Sequence, residues 1–130
     1  MSHATILIIE DNPMNMELAS DLLLDEGFDV IGAEDAVKGI EMAKADHPDL
    51  ILMDLQLPGL DGIQATHLLK EEASTRDIPV IALTAHAMSN HSAMAKEAGC
   101  IAFISKPIDV MQFPDQISEL LEEAQSVAAG

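Results

Sequence analysis

A chain of 130 residues has the size of one ordinary domain, and 48% apolar residues suffice for a core that three Phe and no Trp or Tyr make almost wholly aliphatic. With 23 acidic against 6 basic residues and a net charge of −17, the surface repels phosphate backbones and anionic lipid, which argues against nucleic-acid and membrane binding and suits solubility, metal ions or basic partner patches. Cys100 is the single cysteine, which excludes an internal disulfide and fits a reducing cytoplasm, while no apolar run nears the ~20 residues of a membrane span and Met1-Ser2-His3-Ala4 lacks the marks of a signal peptide.

Ile6-Leu7-Ile8-Ile9 is a fully apolar run of strand length that ends abruptly in Glu10-Asp11. Asn12 stands at an N-cap position and Pro13 in the first helical turn, where its missing N–H costs nothing. Leu18, Ala19, Leu22 and Leu23 recur at helical spacing, and Gly27 ends that helix. Phe28 to Gly32 reads as a second, more polar strand, and Ala36, Val37, Ile40 and Ala43 mark a helix closing near His47-Pro48. Leu50-Ile51-Leu52-Met53 is a third strand, apolar on both faces, with Asp54 at its end and a turn signalled by Pro58-Gly59. Ile63, Ala65, Leu68 and Leu69 carry a helix after Asp61-Gly62, and Pro79 to Leu83 is a fourth strand ending in Thr84. A short Ala-rich helix, about Met88 to Ala98, holds only Met88 and Met94 as large apolar residues. Ile101 to Ile104 is the fifth strand, followed by Ser105-Lys106-Pro107 and a last helix from about Asp109 to Ala124, with Phe113, Ile117, Leu120 and Leu121 on one side. Residues 1–125 thus read as one domain and 126–130 as a flexible C-terminal tail.

Alternating strands and helices imply an α/β protein with a doubly wound parallel sheet covered on both faces. In such a sheet the carboxyl ends of the strands share one edge, where ligands bind. That edge gathers Glu10 and Asp11, Asp54, Thr84 and Lys106. Each alone has a bland explanation as a cap, turn or surface residue; the combination is harder to dismiss. Clustered carboxylates repel by about 4 kcal/mol per pair at about 4 Å and an effective dielectric of about 20, so such a site protonates or binds a cation. Mg²⁺, which takes a few carboxylates plus water and a phosphate oxygen, fits. With the Lys106 ammonium it balances the three acids and leaves room for a phosphoryl group, for which a carboxylate is a competent nucleophile.

Four motifs carry a family resemblance: Ile-Glu-Asp-Asn-Pro at 9–13, Met-Asp-Leu-Gln-Leu-Pro-Gly-Leu-Asp-Gly at 53–62, Ile-Ala-Leu-Thr-Ala at 81–85 and Ile-Ser-Lys-Pro-Ile at 104–108. Together, in order and spacing, they make the sequence from about Thr5 to Glu122 resemble a response-regulator receiver domain of two-component and phosphorelay signalling. The wording around them, including Thr84-Ala85-His86-Ala87, is similar to receivers of hybrid kinases. The resemblance implies a flavodoxin-like (βα)5 fold with strand order 2-1-3-4-5. It implies Asp54 as phosphoacceptor, Asp11 and Asp54 as direct ligands of Mg²⁺ (or Mn²⁺), Glu10 as a ligand mostly through water, and the main-chain carbonyl of Gln56 as the last protein ligand. Lys106 would contact the phosphoryl oxygen, before a possible cis bond to Pro107. Thr84 would move to hydrogen-bond that group, and Phe103 would be the aromatic switch, with core packing as its plainer role. The resemblance also implies that Gln56 and His86 occupy positions that tune the dephosphorylation rate. His3, His47, His67 and His91 show no metal-ligand spacing.

The implied function is a phospho-accepting switch that catalyses its own phosphorylation from a phosphohistidine and its slow autodephosphorylation. The donor would be a histidine kinase or histidine phosphotransfer protein. A downstream protein would bind the face of the fourth helix, fifth strand and fifth helix, or the first helix, where Met14 and Leu18 offer an apolar patch. The short tail and initiating Met fit a stand-alone protein without its own output domain; a receiver fragment of a hybrid histidine kinase, passing phosphate to a phosphotransfer domain, would look the same. A flavodoxin-like electron carrier should show a Ser/Thr/Gly-rich phosphate loop and aromatics where this chain has Glu10-Asp11 and no Trp or Tyr. A haloacid-dehalogenase-like phosphatase should carry a second Asp where Gln56 stands.

Overall fold

In the computed structural model, residues 4–57, 59–85 and 90–129 are described, with backbone alone for 90–92 and 126–129. Ten elements alternate: β1 Thr5–Ile9, α1 Pro13–Asp25, β2 Asp29–Ala33, α2 Ala36–Asp46, β3 Leu50–Asp54, α3 Gly62–Glu71, β4 Val80–Thr84, α4 Asn90–Ala98, β5 Ala102–Ser105 and α5 Phe113–Ala129. The strands form one sheet in the order β2-β1-β3-β4-β5, every pair parallel, which is the expected flavodoxin-like architecture.

The period-two alternation of a strand divides the core in two. Leu7, Ile9, Ile51, Met53, Val80 and Ala82 face the side covered by α2, α3 and α4, where they meet Ala43, Ala65, Leu69 and Ala95. Their neighbours Ile6, Ile8, Leu50, Leu52, Ile81 and Leu83 face the other side, against Ala19 and Leu23 of α1 and Phe113 and Ile117 of α5. Because β1, β3 and β4 are buried on both faces, their apolar runs are continuous rather than alternating.

Caps place the helices. The Asn12 side chain accepts from the N–H groups of Met14 and Asn15 at the start of α1, and Asp35 and Asp61 cap α2 and α3 in the same way. Val37 and Leu68, counted on apolar helix faces in the sequence, are exposed. Each sits one 100° step away from a neighbour, Ala36 or Leu69, that takes the buried position. The last helix starts at Phe113 rather than near Asp109. Asp109 first closes a turn, its carboxylate accepting from Met111 N–H (3.0 Å) and its carbonyl from Phe113 N–H (2.8 Å). The helix then runs to Ala129 instead of ending near Ala124, since no breaker precedes Gly130. The predicted Pro58 turn residue, Met88 and His86 lie outside the described residues.

Candidate phosphoryl and cation site

The parallel register brings the strand ends together. Asp54, last in β3, pairs with Leu83, and Thr84, last in β4, pairs with Ser105. Glu10 follows β1 and its N–H bonds to Ala33 at the end of β2 (3.0 Å); Lys106 follows β5 and its N–H bonds to the Thr84 carbonyl (2.8 Å). Four strand ends therefore launch their polar side chains from fixed backbone at one edge of the sheet.

Lys106 Nζ lies 3.0 Å from Asp54 Oδ1 and 3.6 Å from Glu10 Oε2. Asp54 is buried, and Oδ1 also accepts from the Gln56 N–H at 3.0 Å. Glu10 is buried as well; its Oε1 accepts from Asn15 Nδ2 at 3.0 Å, while Oε2 has no hydrogen-bond partner among the described residues. Glu10, Asp11 and Asp54 each offer a carboxylate oxygen within 4.8 Å of the others. Burial above all, and then the neighbouring Asp54 carboxylate, push the Glu10 carboxyl up to about 7, against the opposing pull of Asn15 and Lys106. One ammonium is thus too little charge for three acids. An all-oxygen donor set with a buried oxygen that has no hydrogen-bond partner among the described residues fits a hard divalent cation.

Around this centre, the exposed Gln56 side chain bridges two loops. Its Nε2 donates to Thr84 Oγ1 and its Oε1 accepts from the Ala85 N–H, both at 3.4 Å. Thr84 is fully buried. Phe103 is partly buried against the α2–α4 side of the core, with Lys96 Nζ 5.9 Å from its ring centroid. The Lys106–Pro107 bond is cis. Met14 is 79% exposed and Leu18 39%; Leu18, Ala19, Pro107 and Ile108 line a cavity of about 280 Å³ that reaches Glu10 and Lys106. His47 and His67 are exposed and stand away from the cluster. The sequence reading missed the Asn15 bond to Glu10 and the Gln56 bridge. The cap at Asn12 was the available signal for the first, because it fixes the turn that carries Asn15.

A family model described as the response regulator receiver domain matches residues 6–118. The polar-differentiation response regulator DivK of Brucella ovis is 42% identical over 120 residues, covering 92% of this chain and 98% of that protein. Among solved structures, the receiver domain of a sensor histidine kinase from Pseudomonas aeruginosa, with a magnesium ion coordinated in its active site cleft, is 30% identical with a TM-score of 0.82, covering 94% of this chain and 97% of that one. A CheY-like receiver domain protein from Methanospirillum hungatei is 26% identical with a TM-score of 0.88, covering 96% and 98%. Fold, matched span and relatives agree, and the chain belongs to the response regulator receiver domain family of two-component signalling.

Proposed function

We propose that the chain is a phosphorylation-driven switch that accepts a phosphoryl group on Asp54 from a phosphohistidine. The carrying observation is the 3.0 Å contact of Lys106 Nζ with Asp54 Oδ1 inside a cluster of three carboxylates. Asp11 and Asp54 would hold Mg²⁺ (or Mn²⁺) directly, Glu10 through water and Gln56 by its carbonyl. Bound there, the cation supplies neutralisation of the negative charge on the phosphoryl oxygens. Oδ1 of Asp54 is already occupied by two donors, so we assign the attack to Oδ2. The new O–P bond forms as the P–N bond breaks, and its electron pair leaves on the donor imidazole. Lys106 then pairs with the transferred oxygens, and Thr84 turns from Gln56 toward them, with Phe103 following inward. His86 and Gln56 set how fast water reverses the step.

Receiver domains receive phosphate from histidine kinases and act on downstream targets. For this chain we assign donor docking to the apolar rim at Met14 and Leu18 and output to the α4-β5-α5 face or to α1. A lone cysteine supports a cytoplasmic setting. Phosphate relay onward to a phosphotransfer domain is a second reading, supported by the 30% identity to a receiver that belongs to a sensor kinase. Incubation with Mg²⁺ and acetyl phosphate, followed by intact mass and peptide mapping, tests the proposal. One base-labile phosphoryl adduct on Asp54, lost in Asp54→Asn, is expected. An unmodified Asp54 beside a labelled neighbour overturns it. Loss of transfer from a phosphohistidine donor in Met14→Asp, with acetyl phosphate labelling intact, checks the docking rim.

A further inference from the structure

We propose that Asn15 is a positioning residue for the cation site, acting through Glu10. This rests on the switch reading above and assigns a residue to it that the motifs do not contain. Glutamate has one more rotatable bond than aspartate, so a Glu at the end of β1 needs something to fix its carboxylate. Asn15 Nδ2 holds Oε1 at 3.0 Å. The other oxygen, Oε2, is thereby left on the side of Lys106, 3.6 Å from its Nζ, and is the atom with no hydrogen-bond partner among the described residues. Asn15 is itself held in place. Its N–H bonds to Asn12 Oδ1 at 3.1 Å, the same oxygen that takes the Met14 N–H at 2.9 Å. The N-cap of α1, the carboxamide one turn on, and the buried carboxylate form one chain of contacts ending at the cluster.

The residue type matters. A Lys or Arg at position 15 would pair with Glu10 and cancel charge that a cation needs; an Asp would add a fourth carboxylate to three. A carboxamide orients Glu10 and leaves the charge balance alone. Outer-shell partners of a metal site typically govern its affinity by a factor of about ten or more.

Mg²⁺ binding measured by calorimetry at fixed pH on the whole chain tests this. We expect Asn15→Leu and Asn15→Ala to weaken Mg²⁺ binding about tenfold while the circular dichroism spectrum is unchanged. In a Glu10→Ala background Asn15→Leu should add no further loss. The Asn15 carboxamide resonance should move on Mg²⁺ addition in the parent and stay still in Glu10→Ala. Parent-like isotherms in the Asn15 variants, or an undiminished loss when Glu10 is already removed, would overturn the role of Asn15 and leave the switch reading standing. A parent that binds no Mg²⁺ would overturn the switch reading itself.

Discussion

Glu10 and Thr84 show how much of the proposed switching rests on single side chains. The Glu10 carboxyl is raised from its ordinary 4.5 to about 7. Between those values the folded protein holds a proton that the unfolded chain has released. Stability of the metal-free protein therefore falls as pH rises through that window, by at most about 1.4 kcal/mol per pH unit for this one group, and the loss is complete above about 7. Urea unfolding in chelator across the window should give a steeper decline in the parent than in Glu10→Gln; equal slopes would show that the group titrates normally. Saturating Mg²⁺ should flatten the parent's decline, since a bound cation favours the carboxylate. In the proposed switch Thr84 belongs to the output. Moving an inactive pool from 1:99 to 99:1 takes about 5.5 kcal/mol, and one charge-assisted hydrogen bond contributes about 1.5–3 kcal/mol. Thr84→Ala should thus keep phosphorylation of Asp54 and lose part of the phosphorylation-dependent affinity for a downstream partner, about tenfold or more. Equal affinities of phosphorylated parent and variant would remove Thr84 from the coupling.

At the scale of elements, the strands carry the site and one glycine keeps it in register. A Cβ on Gly62 would meet the Asp54 carbonyl oxygen and lie 2.9 Å from Leu55 Cα, backbone atoms that cannot step aside. Gly62→Ala should cost about 1–3 kcal/mol of stability and slow labelling of Asp54, read by denaturant unfolding and intact mass. The sheet was legible because continuous apolar runs in strands buried on both faces have no other reading once glycines and prolines bound them. The acids, Thr84 and Lys106 were legible because strand ends in a parallel sheet must coincide. Helix edges were less so. Asp109 opens a turn that resembles a helix start in sequence, and Val37 beside Ala36 does not reveal which of the two faces the core. The Gln56 bridge was invisible for a different reason: Gln56 and Thr84 meet only through tertiary structure, 28 positions apart. Membership of the receiver family also sets aside the electron-carrier and phosphatase readings, which share the sheet but not the motifs.

The whole molecule carries a net charge of −17, and that charge acts on the fold in two separable ways. Spread over the surface it is self-repulsion, which any salt screens within a Debye length of about 10 Å at 0.1 M. Concentrated at Glu10, Asp11 and Asp54 it is the proposed cation site, and a ligand that binds only the folded state stabilises by RT times the logarithm of one plus its concentration over Kd, about 2.7 kcal/mol at 100 times Kd. Sodium chloride should therefore raise the melting temperature gradually, with no saturation at low concentration. Magnesium chloride at the same ionic strength should raise it further and follow a binding curve. The excess of Mg²⁺ over Na⁺ is the part owed to the cluster. Asp11 is exposed and at the open side of the cluster, so Asp11→Asn should fold as well as the parent while losing most of that excess and keeping the sodium response. If the excess survives in Asp11→Asn, the divalent cation is acting on the diffuse acidic surface, and the strand-end carboxylates are not the place where this chain holds it.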